Sequence, residues 1–163
     1  MSEIIKVGMA DAKVSHNPAV LVTIGLGSCV GIALYDPGAK VGGLAHIMLP
    51  SSKRASNGDI NPMKYADTGI ELTIKKMIEL NAMKRRITAK IAGGAHMFAC
   101  ARENSSFLKI GDNNVAAVKE KLAQEGIKLL AEDTGSNYGR TVELHTIDGK
   151  YVIKTIAKGI KVI

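Results

Sequence analysis

Two side chains in the first third of the chain are of the types that carry out nucleophilic chemistry: Cys29, set in GLGSCVG, and His46, in LAHIMLP. A cysteine nucleophile needs a thiolate, a base within reach, and backbone N–H groups that hold the oxyanion formed on attack. The glycines at 25, 27 and 31 permit a tight turn that a substrate can approach closely. In such a turn the amides of Ser28 and Cys29 face one concavity and serve as oxyanion donors, while His46 serves as the base. The chemistry this set can support is acyl transfer through a thioester, which requires neither a metal nor an organic cofactor. The pattern by itself equally admits a packed thiol and a satisfied core histidine, since a free cysteine is commonly a small buried hydrophobe.

Rival sites have less in their favour. Cys100, in MFACAR, has no glycine turn of its own and reads as a packed thiol; His96 follows Gly93-Gly94 and is placed to line the same cleft as Cys29. His16 and His145 read as ordinary strand or surface residues. Two cysteines and four histidines without C-x-x-C or H-x-x-x-H spacing argue against zinc. GLGSCVG lacks the Gly-Lys-Ser/Thr ending of a phosphate-binding loop, and no complete G-x-G-x-x-G precedes a helix. The net charge of +7 points to an acidic partner. Nucleic acid is disfavoured, because RNA-binding aromatic motifs, zinc-finger spacing and long basic runs are missing and aromatics are only 4%.

The elements that must position these residues are legible in outline. At 163 residues, with 46% apolar and 23% charged, residues 1–163 read as a single domain that can bury a sizeable core without disulfides. The start MSEIIKVGMADAKVS lacks a signal-peptide pattern, and no apolar run approaches the roughly 18 residues of a membrane span. Both point to a cytoplasmic protein with no membrane insertion. EIIKV, AVLVTI, VGIALYD and VGGLAHIML read as strands, and Asp36-Pro37-Gly38 as the turn that folds the strand after Cys29 back toward His46. A helix is expected to open at Asn61-Pro62, bury Ala66, Ile70, Ile74, Met77 and Ile78, pair Glu71 with Lys75, and stop at Asn81. RITAKIA is a further strand. A second helix is expected from Asn113 or Asn114 to Glu125, with Val115, Val118 and Leu122 inward, followed by the strand IKLLAED and a hairpin around Asp148-Gly149. This order predicts an α+β fold in which mixed β-sheets form a layered sandwich with helices packed outside.

Six motifs in order, LGSCVGIALYDP, GGLAHIMLP, KYADTGIELTI, IAGGAHMF, the IG..N of IGDNN, and AEDTGSNYGR, resemble those of the CheD family of chemoreceptor glutamine deamidases. The resemblance implies a cysteine hydrolase fold shared with certain deamidating toxins. It also implies a protein-glutamine glutaminase that converts glutamines of methyl-accepting chemotaxis receptors to glutamate. The family's catalytic cysteine, histidine and threonine fall on Cys29, His46 and Thr23, so that Thr23 would orient the imidazole as an Asp or Asn does elsewhere. The thioester route extends in principle to methyl glutamate. The same resemblance carries a second role, as a regulatory partner that binds and tunes the chemotaxis phosphatase CheC; an unrelated cysteine peptidase is a third reading. The chain departs from the family pattern at His96, where Asn or another polar residue is common, and at Ser136, where glycine is common.

Overall fold

The computed structural model describes residues 2–55, 61–97 and 109–163. Among the described residues, ten strands and two helices follow one another as β1 (Glu3–Val7), β2 (Asp11–His16), β3 (Ala19–Leu26), β4 (Val30–Asp36), β5 (Val41–Ile47), α1 (Ala66–Glu79), β6 (Thr88–Gly93), α2 (Ile110–Gln124), β7 (Lys128–Thr134), β8 (Arg140–His145), β9 (Tyr151–Thr155) and β10 (Gly159–Val162). They build two five-stranded sheets, in the orders β1-β3-β8-β9-β10 and β2-β5-β4-β6-β7. Each sheet is mixed: β1 runs parallel to β3 and β6 parallel to β7, while the other pairs are antiparallel. Both helices pack on the second sheet, α1 over β5 and β2, α2 over β7, β6 and β4. The result is the expected α+β layered sandwich, with the helices on one side.

The near-continuous apolar strands VGIALYD and VGGLAHI lie in the middle of this stack, and every residue of both is buried. Alternation along them divides the core in two. Ile32, Leu34, Ala45 and Ile47 face the helices, with Ile70, Met77 and Leu122 against them. Ala33 and Leu44 face the other sheet, with Leu21, Leu26, Val142, Leu144 and Tyr151. Because side chains of a strand alternate between faces, His46 shares the inter-sheet face with Leu44. At Gly31, a Cβ would come within 2.7 Å of the Tyr151 hydroxyl, so only glycine lets the sheets close here.

Several local expectations are corrected. The strands β2 and β10 have no strong sequence signal, because each is an edge strand and DAKVSH and GIKV bury few side chains. Asn61 caps a short 3-10 turn, Pro62–Lys64, by accepting from the Met63 amide at 3.1 Å, and α1 itself begins only at Ala66. Its buried stripe adds Gly69 and Thr73 to Ala66, Ile70, Ile74 and Met77, but leaves Ile78 46% exposed. Glu71 reaches Lys121 of α2 at 3.4 Å, across the helix pair and not along its own helix. The second helix starts at Ile110, so Asn114 is an interior helical residue and not a cap. Asn81 (φ +73) and Gly126 (φ +71) follow the helix ends in left-handed conformations, as stop residues do.

The β4–β5 hairpin that carries Cys29 and His46 is anchored by Asp36, which is fully buried. Its carboxylate accepts from the amides of Gly38 and Met83 at 2.8 Å each and from Arg86 at 2.8 and 2.9 Å. Burial alone would raise this carboxyl's pKa, but the Arg86 guanidinium and the Met83, Ala39 and Gly38 amides outweigh it and hold it at about 2. Replacing Asp36 with Asn removes the charge while Arg86 turns to water, and we expect a loss of about 2–3 kcal/mol at neutral pH. The folded-state pKa lies below the unfolded one, so this stabilisation is complete above pH of about 4 and fades as pH falls toward about 2. Urea denaturation of both proteins across that range checks it: the gap between them closes on acidification.

Candidate active site

Cys29 stands one residue ahead of β4, and Gly31 pairs directly with His46 across the hairpin. Counting back two residues puts Cys29 on the same face as Gly31, diagonal to His46. The thiol is half-buried against the inter-sheet core. It lines a cleft of ≈ 310 Å³ together with Met9, Gly27, Ser28, His96 and Met97. The histidine is fully buried behind it.

Thr23 comes from the other sheet. It is 1% exposed, and its Oγ1 lies 2.8 Å from His46 Nδ1 and 2.8 Å from the carbonyl of Val7, at the end of β1. A carbonyl can only accept, so the single hydroxyl proton goes to Val7. The imidazole must therefore donate from Nδ1, and its lone pair is on Nε2. That Nε2 is buried and has no hydrogen-bond partner among the described residues. A buried acceptor left unsatisfied costs about 1–3 kcal/mol, a cost that a basic nitrogen held ready for a proton explains.

Burial sets the resting charge of the pair. It pushes the Cys29 thiol up, opposed by the Cys29 amide lying against its own sulfur, and pulls His46 down. Both shifts favour the uncharged forms, thiol and imidazole, at neutral pH. The carbonyls of the turn are all held: Gly27 accepts from the Ala95 amide at 2.9 Å, Ser28 from Asn114 Nδ2 at 2.9 Å, and Cys29 from the Gly94 amide at 2.8 Å. Among the described residues, the amides of Ser28 and Cys29 bond to no other residue, and both residues line the cleft. Unpaired amides beside a cleft are the kind of donor that an oxyanion requires.

Two further motifs hold the floor of the cleft. A Cβ on Gly93, whose φ is +113, would collide with the Cys29 carbonyl, and one on Gly111 would sit 2.5 Å from the Gly94 carbonyl. The first turn of α2 thus rests directly on the segment that bonds Cys29. Arg140, buried, bridges Asp133 at 2.9 Å and the Gly135 carbonyl at 3.0 Å, fixing the loop whose Ser136 carbonyl accepts from the His96 amide at 2.8 Å. Ser136 itself has φ +60, the region that favours glycine. His96 does line the cleft, and its Nε2 meets Asp112 at 3.1 Å. Cys100 lies outside the described residues. Sequence reasoning missed Met9 and Met97 as cleft walls and gave Asn114 no contact with the site.

The double-sheet α+β architecture is shared with solved structures. A Neisseria meningitidis protein of family DUF152 superposes with a TM-score of 0.53 at 11% identity, over 83% of this chain and 64% of that one. At that identity the likeness concerns the fold alone. Within the fold, residues 48–155 match the family model described as CheD chemotactic sensory transduction. A relative from Caldanaerobacter subterraneus subsp. tengcongensis is 54% identical over 99% of both chains, and one from Syntrophomonas wolfei is 52% identical over 100% of both. A third, from Lachnoclostridium phytofermentans, is 49% identical over 97% of both; all three are named probable chemoreceptor glutamine deamidase CheD. The chain belongs to the CheD family. Among the described residues no helix is long and apolar enough to cross a membrane.

Proposed function

We propose that this protein is a cytoplasmic chemoreceptor glutamine deamidase, with Cys29 as nucleophile, His46 as acid and base, and Thr23 as the residue that orients the imidazole. The observation that carries the reading is the buried Thr23–His46 hydrogen bond, which leaves Nε2 unpartnered behind a cysteine that faces a cleft. His46 Nε2 takes the thiol proton as the glutamine side chain enters, and the sulfur adds to its carbonyl carbon. The negative oxygen is received by the amides of Ser28 and Cys29. The imidazolium returns its proton to the departing nitrogen, so ammonia leaves and a thioester remains. Water, deprotonated by the same nitrogen, cleaves the thioester to give glutamate and the restored thiol.

The test is mass spectrometry of a receptor cytoplasmic fragment incubated with the protein. Each modified glutamine gains about one dalton and releases one ammonia, as amide hydrolysis by this route demands. A fragment that binds with its mass unchanged would leave only the regulatory reading, in which the chain docks on CheC. That reading draws support from the apolar cleft mouth, where Met9 is 60% and Met97 45% exposed. Competition between CheC and the receptor fragment for this mouth is its own check. No lysine or arginine lines the cleft among the described residues, so the net charge of +7 acts on approach to an acidic receptor and not on seating the amide.

Thr23 offers a sharper test of the positioning role. Thr23→Val keeps the shape but leaves His46 Nδ1–H and the Val7 carbonyl without their partner. We expect kcat to fall on the order of 10–100-fold through loss of tautomer and orientation. Thr23→Ser, which restores the hydroxyl, recovers most of it; equal activity in the two variants would remove Thr23 from the mechanism.

A further inference from the structure

The β4–β5 ladder ends at Val30 opposite Ile47. One rung further it would join Cys29 to Met48, but there the strands have ended, and the Met48 amide turns instead to the carbonyl of Lys64 at 2.8 Å. The ladder thus stops one residue short of the thiol, and beyond Val30 and Ile47 no backbone rung ties the turn to the strand end. A side chain from a third element fills that place. Asn114 of α2, fully buried, donates one amide hydrogen to the Ser28 carbonyl at 2.9 Å and the other to the Met48 carbonyl at 3.0 Å. Ser28 immediately precedes Cys29, and Met48 lies two residues beyond His46.

The chemistry of this bridge is specific to a carboxamide. Both partners are carbonyl oxygens, so the bridging group must present two hydrogens and no negative charge, which excludes Asp in its ionised form and leaves a serine with one bond of the two. The remaining oxygen, Asn114 Oδ1, is buried without a partner among the described residues. The side chain is thus held in place by its two donated bonds even though its own acceptor is left unsatisfied, a cost that sits beside the site and not in the general core. The same turn of α2 is pinned from the other side, where Gly111 rests on the carbonyls of Gly94 and Ala95, and Gly94 bonds Cys29.

We infer that Asn114 is a positioning residue that sets the separation of Cys29 from His46 by replacing the missing rung of the hairpin. This rests on the reading that Cys29 and His46 are nucleophile and base. Because Asn114 does not line the cleft, its loss acts on the chemical step and not on the seating of substrate. A displacement of about 1 Å between reacting groups costs on the order of 10²-fold.

Asn114→Ala and Asn114→Ser are to be compared with the unaltered protein in kcat and KM on a receptor fragment, in melting temperature, and in the pH dependence of Cys29 alkylation by iodoacetamide, followed on the Cys29 peptide by mass. Asn114→Ala is expected to lower kcat on the order of 10²-fold with KM within about threefold. Asn114→Ser, keeping one bond, loses roughly tenfold. In both, the alkylation midpoint moves down toward that of an unburied thiol as the freed turn lets water reach the sulfur. A structural role alone would lower the melting temperature while leaving kcat and the midpoint untouched in the folded variant, and that result in either variant overturns the inference; if Asn114→Ala does not fold, Asn114→Ser decides. If the unaltered protein releases no ammonia, the deamidase reading fails separately, and the alkylation midpoint still reports whether Asn114 holds the turn.

Discussion

Cys29→Ala is expected to abolish ammonia release from receptor fragments while leaving their binding intact. The expected loss is on the order of 10⁴-fold or more, because removing the nucleophile of a covalent pathway removes the pathway. Truncation to Ala deletes one half-buried sulfur at the cleft wall and breaks no hydrogen bond that supports the fold, since the turn is held by its carbonyls through Ala95, Gly94 and Asn114. Binding, measured by calorimetry on the same fragment, therefore serves as the control. A Cys29→Ala protein that deamidates within tenfold of the parent would exclude the thioester and require water to be activated directly by His46. A Cys29→Ala protein that folds like the parent but no longer binds the fragment would point to the thiol as a contact for the receptor and not as the attacking group.

The second large effect concerns His46 and its pH dependence. His46→Gln is expected to lower kcat/KM on the order of 10³-fold near neutral pH, the scale on which a positioned acid–base group and its control of the nucleophile act together. The sign of the pH effect follows from burial. Because burial pulls the imidazole below its ordinary 6.5, the base becomes protonated only in more acidic solution, and the acid limb of kcat/KM lies below that value. Because burial pushes the thiol up from 9.0, the unliganded enzyme carries little thiolate at neutral pH. Alkylation of Cys29 should rise steadily on the alkaline side with no plateau extending into acid. A plateau below pH 7 would mean a standing thiolate–imidazolium pair, contrary to the neutral resting state described above. In His46→Gln the acid limb disappears with the group that produces it; its persistence would assign the titration elsewhere.

The distinction between the two cores explains why the site sits where it does. One layer of Ile, Leu and Met joins the helices to the central sheet, and a second joins the sheets to each other. Cys29 packs against the second layer, into which β3 brings Thr23 and the β4–β5 hairpin brings His46. Thr23 and His46 from the two sheets meet in this layer, and burial there raises the thiol and lowers the imidazole.

Local chemistry made half of this legible in the sequence. The Asp36-Pro37-Gly38 turn between two apolar strands announces the hairpin, and a hairpin of that length returns His46 to the neighbourhood of Cys29, as the Gly31–His46 pairing bears out. Period-2 alternation put His46 on the face of Leu44, and glycines around Cys29 marked a close approach. Pattern could not choose between a core histidine and a base, because both are buried; the choice turns on whether Nε2 has a partner, which is a fact about every neighbour at once. Thr23 was beyond pattern altogether and came only from family resemblance: nothing in AVLVTI distinguishes a threonine packed between sheets from one that binds a histidine 23 residues away. The sequence places the helix start at Asn113 or Asn114, and the helix begins earlier, at Ile110. Short-range features follow from turn chemistry and alternation, which the chain carries locally. The bonds from Thr23 to His46 and from Asn114 to Ser28 and Met48 join residues far apart in sequence, and only the packing of two sheets and a helix brings such donors and acceptors within 3 Å.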